Sequence, residues 1–243
     1  MYESLKNVLK ILLPKAFLHN NELFFREIIS LKYKGNKHQC NICGFKLKQF
    51  VILDDTDLLC PRCGSRSRTR RLFKLLLEND SLNGTVLHFS PPRSLYEKFK
   101  KLKRINYFAS DFENEFFADY NFDITSIAAE TDFFDHIICY HILEHIENDV
   151  TAMSEIQRVL KPSGLCYIQT PYKNGAIYED FSIIEPNKRK VAFGQEDHVR
   201  VYSLDGLEKR LKTAGLSTNR LCFESDLFFG LKEETVIIAE NND

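Results

Sequence analysis

From residue 85 onward, short apolar runs alternate with stretches whose apolar residues recur every three or four positions. The runs are TVLHF (85–89), INYFAS (105–110), HIICY (136–140) and LCYIQT (165–170). Apolar on both faces and separated by helical patterns, they predict the strands of a parallel sheet covered on two sides. Between the last two runs, Val150, Met153, Ile156, Val159 and Leu160 fall on one helical face, and Lys161-Pro162-Ser163-Gly164 stops that helix. A further helix, SLDGLEKRLKTAG, is expected to start at a Ser203 cap and end at Gly215. The last two runs, TNRLCFES and TVIIAE, leave no room for a helix between them, so they predict an antiparallel pair closing the sheet.

The front of the chain follows no such alternation. Its strongest signal is CNICGFKLKQFVILDDTDLLCPRCG, in which Cys40-x-x-Cys43 and Cys60-x-x-Cys63 are sixteen residues apart. This is the spacing of a four-cysteine zinc site, and the two short strands and turn between the pairs suit a zinc ribbon. Gly44 and Gly64 follow the pairs and permit tight turns that aim backbone amides at the sulfurs. Four protein ligands leave no open position, so the zinc is expected to be structural. His38 is near enough to replace one cysteine, although four thiolates are the simpler set. Then comes SRSRTRRLFKLLLEN, whose Arg66, Arg68, Arg70 and Arg71 suit either phosphate or carboxylate contacts or a solvated linker. Upstream, Leu5, Val8, Leu9 and Leu12 with Lys6 and Lys10 form a short basic amphipathic pattern, suited to an anionic membrane surface or to its own domain.

Composition narrows the class. The 243 residues, 44% hydrophobic and 28% charged, suffice for one sizeable core and a small accessory module. No apolar stretch is long enough to span a bilayer and none resembles a signal peptide, so a soluble cytoplasmic protein is expected. The odd count of seven cysteines argues for metal in a reducing compartment and against a disulfide framework. The net charge of −1 conceals an asymmetry. Residues 1–74 hold 15 Lys and Arg against 6 Asp and Glu, and the remaining residues hold 18 against 28. Either the two parts attract each other or the basic front faces an anionic partner.

The first apolar run ends in Ser90-Pro91-Pro92-Arg93, where nucleotide-binding sheets usually place a glycine-rich turn. Two prolines pre-set a rigid corner instead. Asp111, at the end of YFASD, stands about where an acid that binds ribose hydroxyls is expected.

The block FDITSIAAETDFFDHIICYHILEHI, followed by EIQRVLKPSGLCYIQTP, closely resembles the central region of class I S-adenosylmethionine-dependent methyltransferases. CPRCGSRSRTRRL, LHFSPP and FGQEDHVRVY further resemble a subgroup that joins an N-terminal four-cysteine ribbon to such a domain with a glycine-poor first motif. The resemblance covers roughly residues 40 to 225 and implies a Rossmann-like α/β fold, mostly parallel with a terminal antiparallel pair, plus a small zinc ribbon. It divides the chain into a basic N-terminal segment (1–35), a ribbon with its arginine-rich exit (36–72) and a methyltransferase domain (73–243). By resemblance, His88, Phe89 and Ser90 floor the methionine and ribose site, and Asp111 holds the ribose. Asp123 and Ile124 flank the adenine, while Cys139, Tyr140 and His141 line the sulfonium. Arg93 is a candidate partner for the methionine carboxylate.

HILEH (141–145) also matches the H-x-x-E-H pattern of a zinc peptidase. That reading needs both histidines on one continuous helix, whereas His141 directly follows a strand and a bend is expected before His145. In GQEDHVRVY (194–202), Asp197 could orient His198 as a general base, and Arg200 could grip an anionic acceptor. The expected catalytic set is therefore His198, His141 and Asp197, with His145, Arg200 and Gln195 on the acceptor. The expected reaction is methyl transfer from S-adenosylmethionine to a small-molecule or glycan-like acceptor, with Zn2+ structural. Competing readings are an RNA methyltransferase that docks phosphates on the basic ribbon, and a non-catalytic zinc-dependent interaction protein.

Overall fold

The structure, a computed structural model, describes residue 17, residues 21–53 and residues 57–242. The amphipathic pattern over residues 4–13 lies outside them. The described residues fall into two compact units, one drawn from those up to residue 80 together with 92–98 and 223–234, the other from 81–91, 99–222 and 235–242.

In the first unit, α1 (Glu22–Ser30) leads through a short 3-10 turn into β1 (Lys34–Gln39) and β2 (Lys46–Leu47), an antiparallel pair. A second antiparallel pair follows, β3 (Val51–Ile52) and β4 (Leu58–Leu59). Helix α2 (Ser67–Glu78) buries Leu72, Phe73, Leu75 and Leu76, which lie at helical spacing along one face. Helix α3 (Arg93–Phe99) falls almost wholly in this unit too.

The second unit is built on one six-stranded sheet. Its strands are β5 (Gly84–Phe89), β6 (Ile105–Ser110), β7 (Phe134–Tyr140), β8 (Leu160–Gln169), β11 (Leu216–Phe223) and β12 (Glu234–Asn241). The order is β11-β12-β8-β7-β5-β6, with β5, β6, β7 and β8 parallel and β12 antiparallel to β8. All four apolar runs are strands, and the mostly parallel Rossmann-like sheet with its terminal antiparallel strand is the expected fold. The connections are α4 (Asp149–Val159) and a lobe with β9 (Tyr178–Glu179), α5 (Pro186–Phe193), β10 (Arg200–Val201) and α6 (Leu204–Thr213). Ser203 caps α6 by accepting from the Gly206 amide at 3.2 Å, as its sequence pattern predicts. On α4, Met153, Ile156 and Val159 join the core, whereas Val150 faces solvent. The order of strands reverses between β5 and β7, and a parallel sheet opens its crevice there, at the carboxyl ends.

No helix among the described residues is long and apolar enough to cross a membrane.

Candidate functional site

The four cysteines converge. One sulfur from each of Cys40, Cys43, Cys60 and Cys63 lies within 4.8 Å of the others. Cys40 and Cys63 are 3.6 Å apart, and Cys43 and Cys60 are 3.8 Å apart. Sulfurs held at ~2.3 Å around a tetrahedral ion stand about 3.8 Å from one another, so this set fits zinc. Both pairs use the same turn. Cys40 N–H donates to Phe45 O and Gly44 N–H returns to Cys40 O, while Cys60 N–H donates to Ser65 O and Gly64 N–H returns to Cys60 O. Gly44 and Gly64 sit at φ +71 and +75, a conformation costly for any residue with a Cβ. Without a cation, hydrogen bonding to Cys40 pushes the Cys43 and Cys60 thiols up, because buried neighbouring sulfurs resist sharing negative charge.

Two of the arginines after the second pair, Arg70 and Arg71, are buried on backbone carbonyls and are neither a solvated linker nor a free anion site. Arg70 is fully buried and donates to Ser65 O, Leu58 O, Phe229 O and Gly230 O at 2.5–2.9 Å. Its guanidinium also lies over the Phe50 ring, 4.3 Å from the centroid. Arg71 donates to the carbonyls of Glu224 and Lys232 and covers Phe223, and Arg66 pairs with Asp57 at 2.6 Å. Planar multi-donor forks suit such backbone clamping better than a single ammonium would. Arg93, expected on a methionine carboxylate, reaches Glu22 at 3.4 Å.

Among the expected cofactor residues, Ser90 and Asp111 meet directly, just beyond the carboxyl ends of β5 and β6. Ser90 takes the place of a glycine at φ +45. That left-handed turn is held by Ser90 N–H to Ser110 O at 2.7 Å and Ser90 Oγ to Asp111 at 2.6 Å. The other Asp111 oxygen accepts from the amides of Glu115 and Phe116, at 2.6 and 2.9 Å. Asp123 accepts from Thr125 N–H and Oγ1 at 2.8 and 2.7 Å. Phe89 and Ile124 belong to the core with Ile127, Cys139 and Leu143. His88 packs against Phe99 and contacts Tyr107 Oη at 3.1 Å. Its burial depresses it to about 3, so it stays neutral. Two acceptor carboxylates follow β6, Asp111 against the left-handed Ser90 turn and Asp123 against Thr125, and acceptors of this kind fit the hydroxyl and amino groups of an adenosyl cofactor.

A second cluster lies one strand over. His141 follows β7 at φ +55, held by its amide to Gln169 O at 2.8 Å, and the chain then turns through a short 3-10 segment, Leu143–His145. The expected bend is present, so the two histidines do not share a helix. Glu144, almost fully buried, accepts from His141 Nδ1 at 3.0 Å and from Thr170 Oγ1 at 2.9 Å. Burial alone would raise its carboxyl, but the His141 bond and neighbouring imidazoles hold it below the usual carboxylate range. The 193–200 segment closes over this turn through Val199 N–H to Glu144 O at 2.9 Å. It brings His198 against His145, ring centroids 4.7 Å apart and nearly perpendicular.

Two expected pairings are replaced. Asp197 meets His145 Nδ1 at 3.2 Å, whereas His198 Nδ1 faces Phe193 O at 3.3 Å. Arg200 is not free for an acceptor. It is almost completely buried and donates to Leu143 O at 3.1 Å, Ile146 O, Glu147 O at 2.8 Å and Glu179 at 2.9 Å. It holds the histidine turn in place. Gln195 is exposed and Tyr140 half-buried at the end of β7. The residue that sequence reasoning overlooked is Glu144; its one signal was an acid inside an apolar block between two histidines.

Solved structures with TM-scores of 0.50 or above share this fold. A methyltransferase from Burkholderia thailandensis, 1,6-didemethyltoxoflavin-N1-methyltransferase, superposes with a TM-score of 0.51 at 14% identity, over 73% of this chain and 79% of that one. The YcgJ protein of Bacillus subtilis gives 0.50 at 14% identity, over 71% and 99%. The CurJ carbon methyltransferase gives 0.49 at 14% identity, over 72% of this chain, which spans about half (53%) of that one. No curated protein sequence matches. Residues 62–220, well over half of the chain, match the family described as "Methyltransferase domain", so the chain belongs to that family, as an S-adenosylmethionine-dependent methyltransferase.

Proposed function

We propose that this enzyme methylates a small-molecule or glycan-like acceptor and belongs to a subgroup that pairs a structural zinc ribbon with a glycine-poor first motif. When bound, S-adenosylmethionine supplies a methyl group already activated on a sulfonium, so the chain's task is mainly to position and to manage a proton. Ser90 and Asp111 hold the ribose side, and Asp123 with Ile124 flanks the adenine. Tyr140 and His141 face the reacting end.

The observation that carries the reading is the carboxylate–imidazole pair of Glu144 and His141 at the end of β7. Glu144 accepts from Nδ1, which fixes the tautomer and leaves Nε2 as the basic nitrogen for an acceptor hydroxyl or amine. The dyad expected of Asp197 and His198 is thus made by a different acid and a different histidine. His198, depressed by burial, is neutral and can serve the same proton. His145 and Gln195 are acceptor-side residues on this reading. This reading includes a peripheral membrane contact through the 1–35 segment, and the 36–72 ribbon assists acceptor or partner docking.

Support for a small acceptor over RNA comes from the arginines: Arg70 and Arg71 are buried and donate to backbone carbonyls, which withdraws both guanidinium groups from phosphate contact. Calorimetry with S-adenosylhomocysteine, followed by mass-spectrometric search for methylated products in extracts, tests the assignment. Binding with a product of small mass supports it. Binding that appears only with RNA, falling steeply with salt, would replace it by the nucleic-acid reading.

A further inference from the structure

Beyond that reaction, Glu144, His145 and His198 have a property that proton transfer does not use. A ligating atom from each lies within 4.8 Å of the other two. All three come from the second compact unit, two from the turn after β7 and the third from the segment before β10.

The neighbours of this trio fix its protonation. A backbone carbonyl can only accept, so His198 Nδ1, facing Phe193 O, carries the proton and Nε2 keeps its lone pair. That Nε2 is buried and has no hydrogen-bond partner among the described residues. His145 Nδ1 faces the Asp197 carboxylate, another pure acceptor, so its Nε2 is likewise the lone-pair atom. Glu144 is a buried acceptor held by His141 and Thr170. A buried carboxylate and two imidazoles with lone pairs to give therefore gather within ligating distance, and the buried His198 Nε2 has no hydrogen-bond donor to it among the described residues, an arrangement that suits a cation. Each ligand also has an outer support: Asp197 and Phe193 O for the imidazoles, His141 and Thr170 for the carboxylate. Metal sites are generally braced in this way. Arg200 fixes the turn from behind through the carbonyls of residues 143, 146 and 147.

We propose that Glu144, His145 and His198 form a second metal site, a two-histidine, one-carboxylate set that takes a divalent transition-metal ion at the carboxyl end of β7. Such a set favours borderline nitrogen- and oxygen-binding ions and leaves coordination positions open, in contrast to the closed thiolate site.

The test uses the untagged full-length chain with zinc already in the thiolate site, titrated with Co2+ and followed by calorimetry and visible absorption. Zinc outcompetes cobalt at thiolates, so the added ion reports the other site. One further equivalent of Co2+ is expected, with weak d–d bands and no sulfur-to-cobalt charge-transfer band. Glu144→Gln, His145→Gln and His198→Gln should each weaken uptake at least tenfold, and Asp197→Asn by about tenfold or less, as an outer support does. Thermal melts and S-adenosylhomocysteine binding verify that each variant is folded, and a variant that fails them is replaced by the corresponding alanine. Cobalt uptake reads out without turnover, so its failure is distinct from failure of the methyl-transfer assignment. The proposal is overturned if no cobalt binds beyond the thiolates, if a sulfur charge-transfer band appears, or if folded variants bind as tightly as the parent chain.

Discussion

The cysteine cluster and the histidine cluster both gather ligating atoms, yet they are assembled in opposite ways. The four cysteines lie within 24 residues of one another, and each pair is shaped by its own glycine turn. The histidine cluster joins His141, Glu144 and His145 to His198, more than fifty residues away, and only the folding of the 193–200 segment completes it. Local ligands closing a short loop fold with their metal, because a segment this small cannot bury enough apolar surface by itself. Distant ligands must instead be delivered by a core that is already stable. In each region a buried arginine does the fastening: Arg70 binds four carbonyl oxygens in one, and Arg200 binds three in the other.

The largest effect should come from the thiolates. Cys60→Ser, or a strong chelator, removes an ion whose binding supplies ~10–16 kcal/mol in comparable structural sites. Circular dichroism and metal analysis should show one zinc lost and the first unit melted, while S-adenosylhomocysteine binding by the second unit persists. Loss of that binding would show that the second unit depends on the metal in the first, and the contrast between the two would fail.

Next come the arginines. Arg70→Met strands several buried carbonyl oxygens and should cost at least ~3 kcal/mol in chemical denaturation. Arg200→Met should cost a similar ~3 kcal/mol, but in addition it should loosen the histidine turn and lower the transfer rate, which Arg70→Met should not. Equal kinetic damage from both would show that the clamps are not regional.

Glu144→Gln keeps the shape of the dyad and removes its charge. The transfer rate should fall by roughly a hundredfold for a hydroxyl acceptor, with the loss in kcat rather than KM. An unchanged kcat would remove His141 as the oriented base.

Glu234 gives a smaller, pH-dependent effect. Burial raises its carboxyl to about 7, against the pull of Arg71 and Arg68. The folded state therefore holds the proton more tightly than the unfolded chain, and the stabilisation, complete below the ordinary value of 4.5, is lost as pH rises through about 7. Glu234→Gln should be more stable than the parent by on the order of 2 kcal/mol near pH ~8, and equal to it near pH ~4. Thermal melts across that range read it directly. Least of all, Ser90→Gly should change stability by under ~1 kcal/mol, since relief of the φ +45 turn offsets loss of the bond to Asp111.

Periodicity was enough for the sheet. TVLHF, INYFAS, HIICY and LCYIQT carry their strand character in runs of five or six residues, and the Ser203 cap needs only Gly206. The thiolate site was equally legible, because spacing and glycines are local facts. The site around the histidines was legible only in its parts. His141, His145, Asp197, His198 and Arg200 were all identifiable as polar residues in revealing places, but their pairings were not. Asp197 neighbours His198 in the chain, yet its carboxylate reaches His145. Arg200 has the chemistry of an anion clamp, yet it is buried on carbonyls of a turn more than fifty residues upstream.

Residue type and spacing thus dictated the strands of the main sheet, the helices α4 and α6 and where thiolates would gather, since these depend on neighbours a few positions apart. Which acid meets which imidazole, and whether an arginine faces solvent or backbone, was decided by the packed chain. Hydrogen-bond partners are chosen over ångströms in space, and a chain folded through several crossovers brings together positions that its order keeps far apart.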